Sequence, residues 1–136
     1  MDMSKWDHKD EWRRNGDNFR ITVTRHTVDH PSEIEGPHRW CVYAYIYQNH
    51  RLFDSFDDSG MFQDAAMSLP FHCGCSFLKW HRDDDGKTTS VQVGADYNHL
   101  YDDCFCYYET AEDAYAVFND AERLFDRLAG NDTEEW

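Results

Sequence analysis

A chain of 136 residues is the size of one hydrophobic core, and its 16% of Phe, Tyr and Trp excludes a disordered polyanion despite a net charge of −14. No apolar stretch approaches the roughly 20 residues that span a bilayer, Met1–Trp12 holds no apolar run, and five cysteines are an odd number; together these predict a soluble, unprocessed protein of the reducing cytoplasm, with no disulfide framework. The charge is one-sided: residues 1–53 hold eight Lys/Arg and eight Asp/Glu, residues 54–136 hold five and nineteen, and a field of that sign disfavours nucleic acid and membranes as direct partners.

In chain order, residues 1–17 are polar and end in Asn15-Gly16-Asp17, which predicts a mobile arm able to tuck Trp6 or Trp12 onto the body, or else a short helix over Lys5–Arg14. Phe19, Ile21 and Val23 alternate with Arg20, Thr22 and Thr24, the period of a half-buried strand. A loop punctuated by His30-Pro31 and Gly36-Pro37 leads to Arg39–Tyr47. There Trp40, Val42, Ala44 and Ile46 take one face and Cys41, Tyr43, Tyr45 and Tyr47 the other, the pattern of a central strand. The spacing of Met61, Phe62, Ala65, Ala66 and Leu69 predicts one short helix stopped by Pro70.

Ser76–His81 and Thr88–Tyr97 flank Asp83-Asp84-Asp85-Gly86-Lys87, whose Asp-Gly pair suits a tight hairpin. Gly94 within the second strand marks a kink or a close approach of another backbone. A helix over 111–129 follows from Thr110 with Asp113 as a capping-box-like start and Gly130 as a stop. Its stripe is Ala114, Val117, Phe118, Ala121, Leu124, Phe125 and Leu128, with Asp120, Glu122, Arg123, Asp126 and Arg127 outside. The fold expected is α+β: a two-layer arrangement in which an antiparallel sheet of about four strands is covered by the C-terminal helix and a shorter middle helix. Residues 18–130 form that single domain, after an arm over 1–17 and before an acidic tail over 131–136.

Four thiols fall in two C-x-C pairs, Cys73/Cys75 and Cys104/Cys106, with His72 and His81 nearby. A tetrahedral zinc site accepts four such ligands, but one intervening residue is too short for the backbone to wrap a metal, and in an extended strand it points both thiols the same way. No metal and no cofactor are therefore expected. A Cys-His nucleophile built from Cys73 or Cys75 with His81 or His99 is disfavoured because acidic surroundings raise a thiol pKa. His81-Arg82-Asp83 is too isolated for a kinase loop, Asp83–Gly86 lacks the alternating positions and closing Glu of a calcium loop, and His26-Thr27 has no partner motif. The sequence predicts no enzyme; a small zinc-binding or Cys/His-dependent enzyme is the competing reading.

The carboxylates instead come in groups with few local cations, flanked by tyrosines that interfaces favour. The residues singled out for partner binding are Asp83, Asp84, Asp85, Asp96, Tyr101, Asp102, Asp103, Tyr107, Tyr108, Glu109, Glu112 and Asp113. The stretch Ser76-Phe-Leu-Lys-Trp-His-Arg through Ser90-Val-Gln-Val-Gly-Ala-Asp-Tyr-Asn-His-Leu-Tyr-Asp-Asp resembles small acidic proteins encoded by bacteriophages and prophages, a likeness that spans about residues 38–128. That type includes anti-CRISPR and other anti-defence inhibitors. The resemblance implies an inhibitor that docks its acidic face on a basic nucleic-acid-binding complex, such as a CRISPR effector, in the host cytoplasm and blocks nucleic-acid binding there. It carries over no catalytic residue.

Overall fold

Alternating apolar and polar residues pair into a sheet whose apolar face is closed by one amphipathic helix. The computed structural model describes residues 2–29, 35–58, 60, 62–98 and 104–130. Its strands are β1 (Asp7–His8), β2 (Trp12–Gly16), β3 (Phe19–Thr27), β4 (His38–Tyr47), β5 (Phe77–Arg82) and β6 (Thr88–Asp96), with helices α1 (Asp64–Met67) and α2 (Tyr115–Ala129). Every strand pairing is antiparallel and the order is β1-β2-β3-β4-β6-β5, so the chain passes over β6 to lay down β5 and returns by a hairpin. The α+β expectation holds, with six strands where about four were expected.

The two further strands come from the segment read as an arm. Gly16 pairs with Phe19 across Asp17-Asn18, and Asn18 takes the left-handed φ of 64° that Asn tolerates, so the breakers at 15–18 turn a hairpin rather than end an arm. Apolar alternation does not betray β2, because its inward positions are Trp12, Arg14 and Gly16. The Arg14 guanidinium lies 3.6 Å from the centre of the Phe125 ring and pairs with Glu122 of α2, which also accepts the Trp6 indole N–H at 2.7 Å. Glu122, expected outside, thus anchors the N-terminal segment. Asp120 is likewise engaged, accepting the Tyr97 hydroxyl at 2.5 Å.

Phe19, Ile21, Val23, Trp40, Val42, Ala44, Ile46, Val91, Val93 and Ala95 form the buried inner face of the sheet. Against it α2 sets Val117, Phe118, Ala121, Leu124 and Leu128, the predicted stripe; Phe125 is only partly buried, at its edge. The helix starts at Tyr115 rather than 111. The Asp113 N–H donates to the Thr110 hydroxyl at 3.1 Å, but that bond closes a turn over 110–114 ahead of the helix proper. At the other end Gly130 adopts φ 76°, as a helix stop does, and Arg51 donates to the carbonyls of Arg127 and Leu128 at 2.8 and 2.6 Å, placing a cation at the negative end of the helix.

The middle helix is one turn, α1, with Ala66 buried; Leu69 is buried too, whereas Phe62 is 80% exposed and Met61 falls outside the described residues. Hairpin β5–β6 closes with a three-residue loop instead of a two-residue one. The Asp83 amide bonds to the Lys87 carbonyl, the Gly86 amide to the Asp83 carbonyl, and of the loop residues Gly86 alone has positive φ, 81°. Gly94 is a close-approach site: a Cβ there would lie 2.3 Å from the Tyr43 ring and 2.8 Å from the Val42 carbonyl. Among the described residues no helix is long and apolar enough to cross a membrane.

Candidate docking surface

The acidic residues singled out in the sequence do not form one face. Asp83, Asp84 and Asp85 sit on the tip of the β5–β6 hairpin, all exposed, and the nine residues of β6 then run from Thr88 to Asp96, about 26 Å at the usual rise per residue. Asp83 is partly a structural residue: its carboxylate accepts the amides of Asp85 and Lys87 at 3.0 and 2.9 Å and shapes the loop. Only Asp84 and Asp85 present carboxylates with no role in the turn.

The second group gathers at the opposite end of the sheet. The Trp40 indole donates to the Tyr108 carbonyl at 2.9 Å, Tyr97 N–H bonds to the Trp40 carbonyl, and Arg25, opposite Trp40 on β3, donates to the Glu109 carbonyl. These bonds dock the segment before α2 onto the starts of β4 and the end of β6, bringing Asp96, Tyr107, Tyr108, Glu109, Glu112 and Asp113 to one end. Tyr101, Asp102 and Asp103 lie outside the described residues. A hydrogen bond with Cys104 holds the Tyr108 phenol above its ordinary pKa.

Two tyrosines stand out of this end, Tyr107 and Tyr115, each 58% exposed. Tyr115 was not singled out in the sequence; its signal was an aromatic on the first turn of α2 off the apolar stripe. Glu109, Glu112 and Asp113 are exposed beside them. Among the described residues the ion pairs are Arg13–Glu11, Arg14–Glu122 and Arg39–Glu35, so none takes up these three carboxylates or those of Asp84 and Asp85. A cleft of about 420 Å³ opens next to Glu109 and Glu112, with Met3, Trp6, Trp12 and Ala111 supplying apolar wall and Arg25 on one side.

In each C-x-C pair one thiol is exposed and the other buried. Cys73 is exposed at φ 57° in a turn and Cys75 is buried, donating to the Phe77 carbonyl at 3.2 Å; Cys104 is exposed and Cys106 buried, accepting the Gly36 amide at 3.0 Å. The two segments are a turn and a single 3-10 turn, not the extended strands that would point paired thiols one way. Among the described residues no three His, Cys, Asp or Glu side chains are placed to hold a metal ion. His81 faces away from Cys75: it bonds Gln92 at 2.8 Å on the outer side of the sheet, while Cys75 belongs to the core.

At the far end of α2 a second cleft of about 440 Å³ is lined by Asn18, Asn49, His50, Arg51 and Phe125. The polar groups of His50 and Arg51 there are engaged by the helix carbonyls and by the Leu52 amide, which donates to His50 Nδ1 at 3.1 Å. Burial holds the His50 imidazole below its ordinary pKa.

Comparison with known proteins yields no matching family model, no matching curated protein and no matching solved structure.

Proposed function

We propose that this protein works by binding and not by chemistry, docking the acidic end around Glu109, Glu112 and Asp113 onto a basic surface of another protein. One observation carries the reading: at that end two tyrosines, each 58% exposed, stand beside carboxylates that no cation of the described chain neutralises. Exposed tyrosines are anchors of the kind interfaces use, and like-charged carboxylates left unpaired repel one another until a cationic partner arrives. The adjoining cleft suits a long basic side chain, its aliphatic stem against Met3 and Trp12 and its head near Glu109 and Glu112. A basic groove shaped for nucleic acid is the partner surface this charge fits best, which makes a phage anti-defence inhibitor of the anti-CRISPR type the specific form of the proposal, acting stoichiometrically by excluding nucleic acid.

The test is capture of partners from host lysate with the parent chain, with Glu109→Lys/Glu112→Lys/Asp113→Lys and with Asp84→Lys/Asp85→Lys, each washed at low and high salt. The parent should retain one basic partner that high salt releases, since exposed charges interact over about 10 Å at 0.1 M salt. The Glu109/Glu112/Asp113 reversal should lose it with the melt unchanged. Asp84→Lys/Asp85→Lys, at the opposite end of the sheet, should still bind; a Glu109/Glu112/Asp113 reversal that binds like the parent, or activity that turns over at substoichiometric protein, overturns the proposal.

A further inference from the structure

The outer face of the sheet is built as an aromatic layer, and α2 lies on the other side of it. Strand β4 places Tyr43, Tyr45 and Tyr47 in a row on this face, opposite Gly94, Gln92 and Ser90 of β6. The missing Cβ of Gly94 lets the Tyr43 ring lie down across β6, where Phe77 meets it edge-on at 5.4 Å. His81 leans on Tyr45 at 5.7 Å while bonded to Gln92. Thr22, Ser90 and Gln92 are 1%, 5% and 8% exposed although no helix of the described chain covers them; the rings close over them. The tyrosines themselves stay half-buried, and burial lifts the phenols of Tyr43 and Tyr45 above their ordinary pKa, so these two are uncharged at neutral pH.

Charge on this face is balanced, unlike that of the chain. Arg13, Arg20 and Lys79 flank the row, Asp7 and Asp96 answer them, and Glu11 pairs with Arg13; the acidic groups at 83–85 and 109–113 lie at the two ends and not on it. A polyanion approaching here meets the field of a −14 protein with no net positive surface to compensate, and a basic protein finds little to bind. A surface of the same balanced kind meets neither penalty.

We infer that this face packs on the same face of a second copy of the chain, tyrosine layer on tyrosine layer. Strands β3, β4 and β6, about 26–30 Å long, and the shorter β5, about 17 Å, lie about 4.8 Å apart and project a footprint of about 500 Å², and side-chain relief carries the accessible area toward the roughly 800 Å² per partner of a stable interface. Tyrosine is enriched in such patches, and Ser90, Gln92 and His81 already have partners or cover, so closing the face strands few polar groups. The inference does not depend on what the acidic end binds.

Sedimentation of the intact chain over a concentration series at about 0.05 and 0.5 M salt tests it. A dimer should form, and its midpoint should move to lower concentration, by about tenfold or more, at the higher salt, because screening relieves repulsion between two −14 chains. That is the opposite sign to docking on a basic partner. Tyr45→Glu should give a monomer with an unchanged melt; if it fails to fold, exposed Lys79→Glu should still weaken the dimer by about tenfold. A monomer at every concentration, or a dimer indifferent to both substitutions, overturns the inference. So does a labelled single-stranded oligonucleotide that binds the parent and not Tyr45→Glu, which would assign the layer to nucleic acid.

Discussion

Replacing Phe118 by Ala should remove the keystone between the N-terminal hairpin, the sheet and α2. Phe118 is 0% exposed and its ring meets three indoles edge-on, Trp6 at 5.6 Å, Trp12 at 5.4 Å and Trp40 at 6.1 Å. Truncating a buried Phe costs about 3–5 kcal/mol in transfer and cavity, and the edge-to-face contacts, about 0.5–1.5 kcal/mol apiece before overlap, place this site at the upper end. Set against the 5–15 kcal/mol typical of a whole domain, about 4–5 kcal/mol is about a quarter or more of the stability. For a chain of this length each kcal/mol moves the melting temperature by about 3–5 °C, so a fall of about 12–25 °C is expected. Urea and thermal melts followed by tryptophan fluorescence read it directly, because three of the indoles lose a neighbour. Tyr115→Ala, at an exposed position on the same helix, should stay within about 0.5 kcal/mol and serves as control. If the Phe118→Ala melt lies within about 1 kcal/mol of the parent, the packing of α2 described above is wrong.

Glu122→Ala leaves the Trp6 indole N–H and the Arg14 guanidinium without their shared acceptor; partial exposure of Glu122 screens the loss to about 1–2 kcal/mol, and amide exchange should quicken in β2 while β3 and β6 keep their protection. Uniform quickening along the chain would mean that Glu122 is not a latch for the N-terminal strands. His50 is held neutral in the folded chain, below the 6.5 of the free side chain, so the unfolded chain takes up its proton first. The stability His50 contributes is complete above pH 6.5 and declines as pH falls through the folded pKa, and the urea midpoint of the parent should drop between pH 7.5 and about pH 5 more steeply than that of His50→Gln. Equal slopes would count against it.

Local periodicity and turn chemistry were enough to define β3, β4, the β5–β6 hairpin and α2, and with them the inner face of the sheet, because in each the side-chain period matches the element and the apolar set is continuous. The Asp-Gly breaker located the hairpin tip, and Gly130 the helix stop, since glycine serves those backbone angles at no steric cost. What sequence alone misread depended on partners far along the chain. Strand β2 carries Arg14 and Gly16 on its inward side, and an arginine can face a core only where a carboxylate and an aromatic ring from another element receive it; Glu122 and Phe125 lie more than a hundred residues away. The same holds for the acidic groups. Their number and charge are legible residue by residue, but whether they share a surface depends on strand direction: the length of β6 holds 83–85 apart from 109–113, while bonds from Trp40 and Arg25 fold the latter group beside Tyr107 and Tyr115. Charge is a property of composition and needs no fold to be known. Where it is presented, and which aromatic rings stand beside it, is set by contacts between residues distant in the chain, and only the tertiary structure decides those.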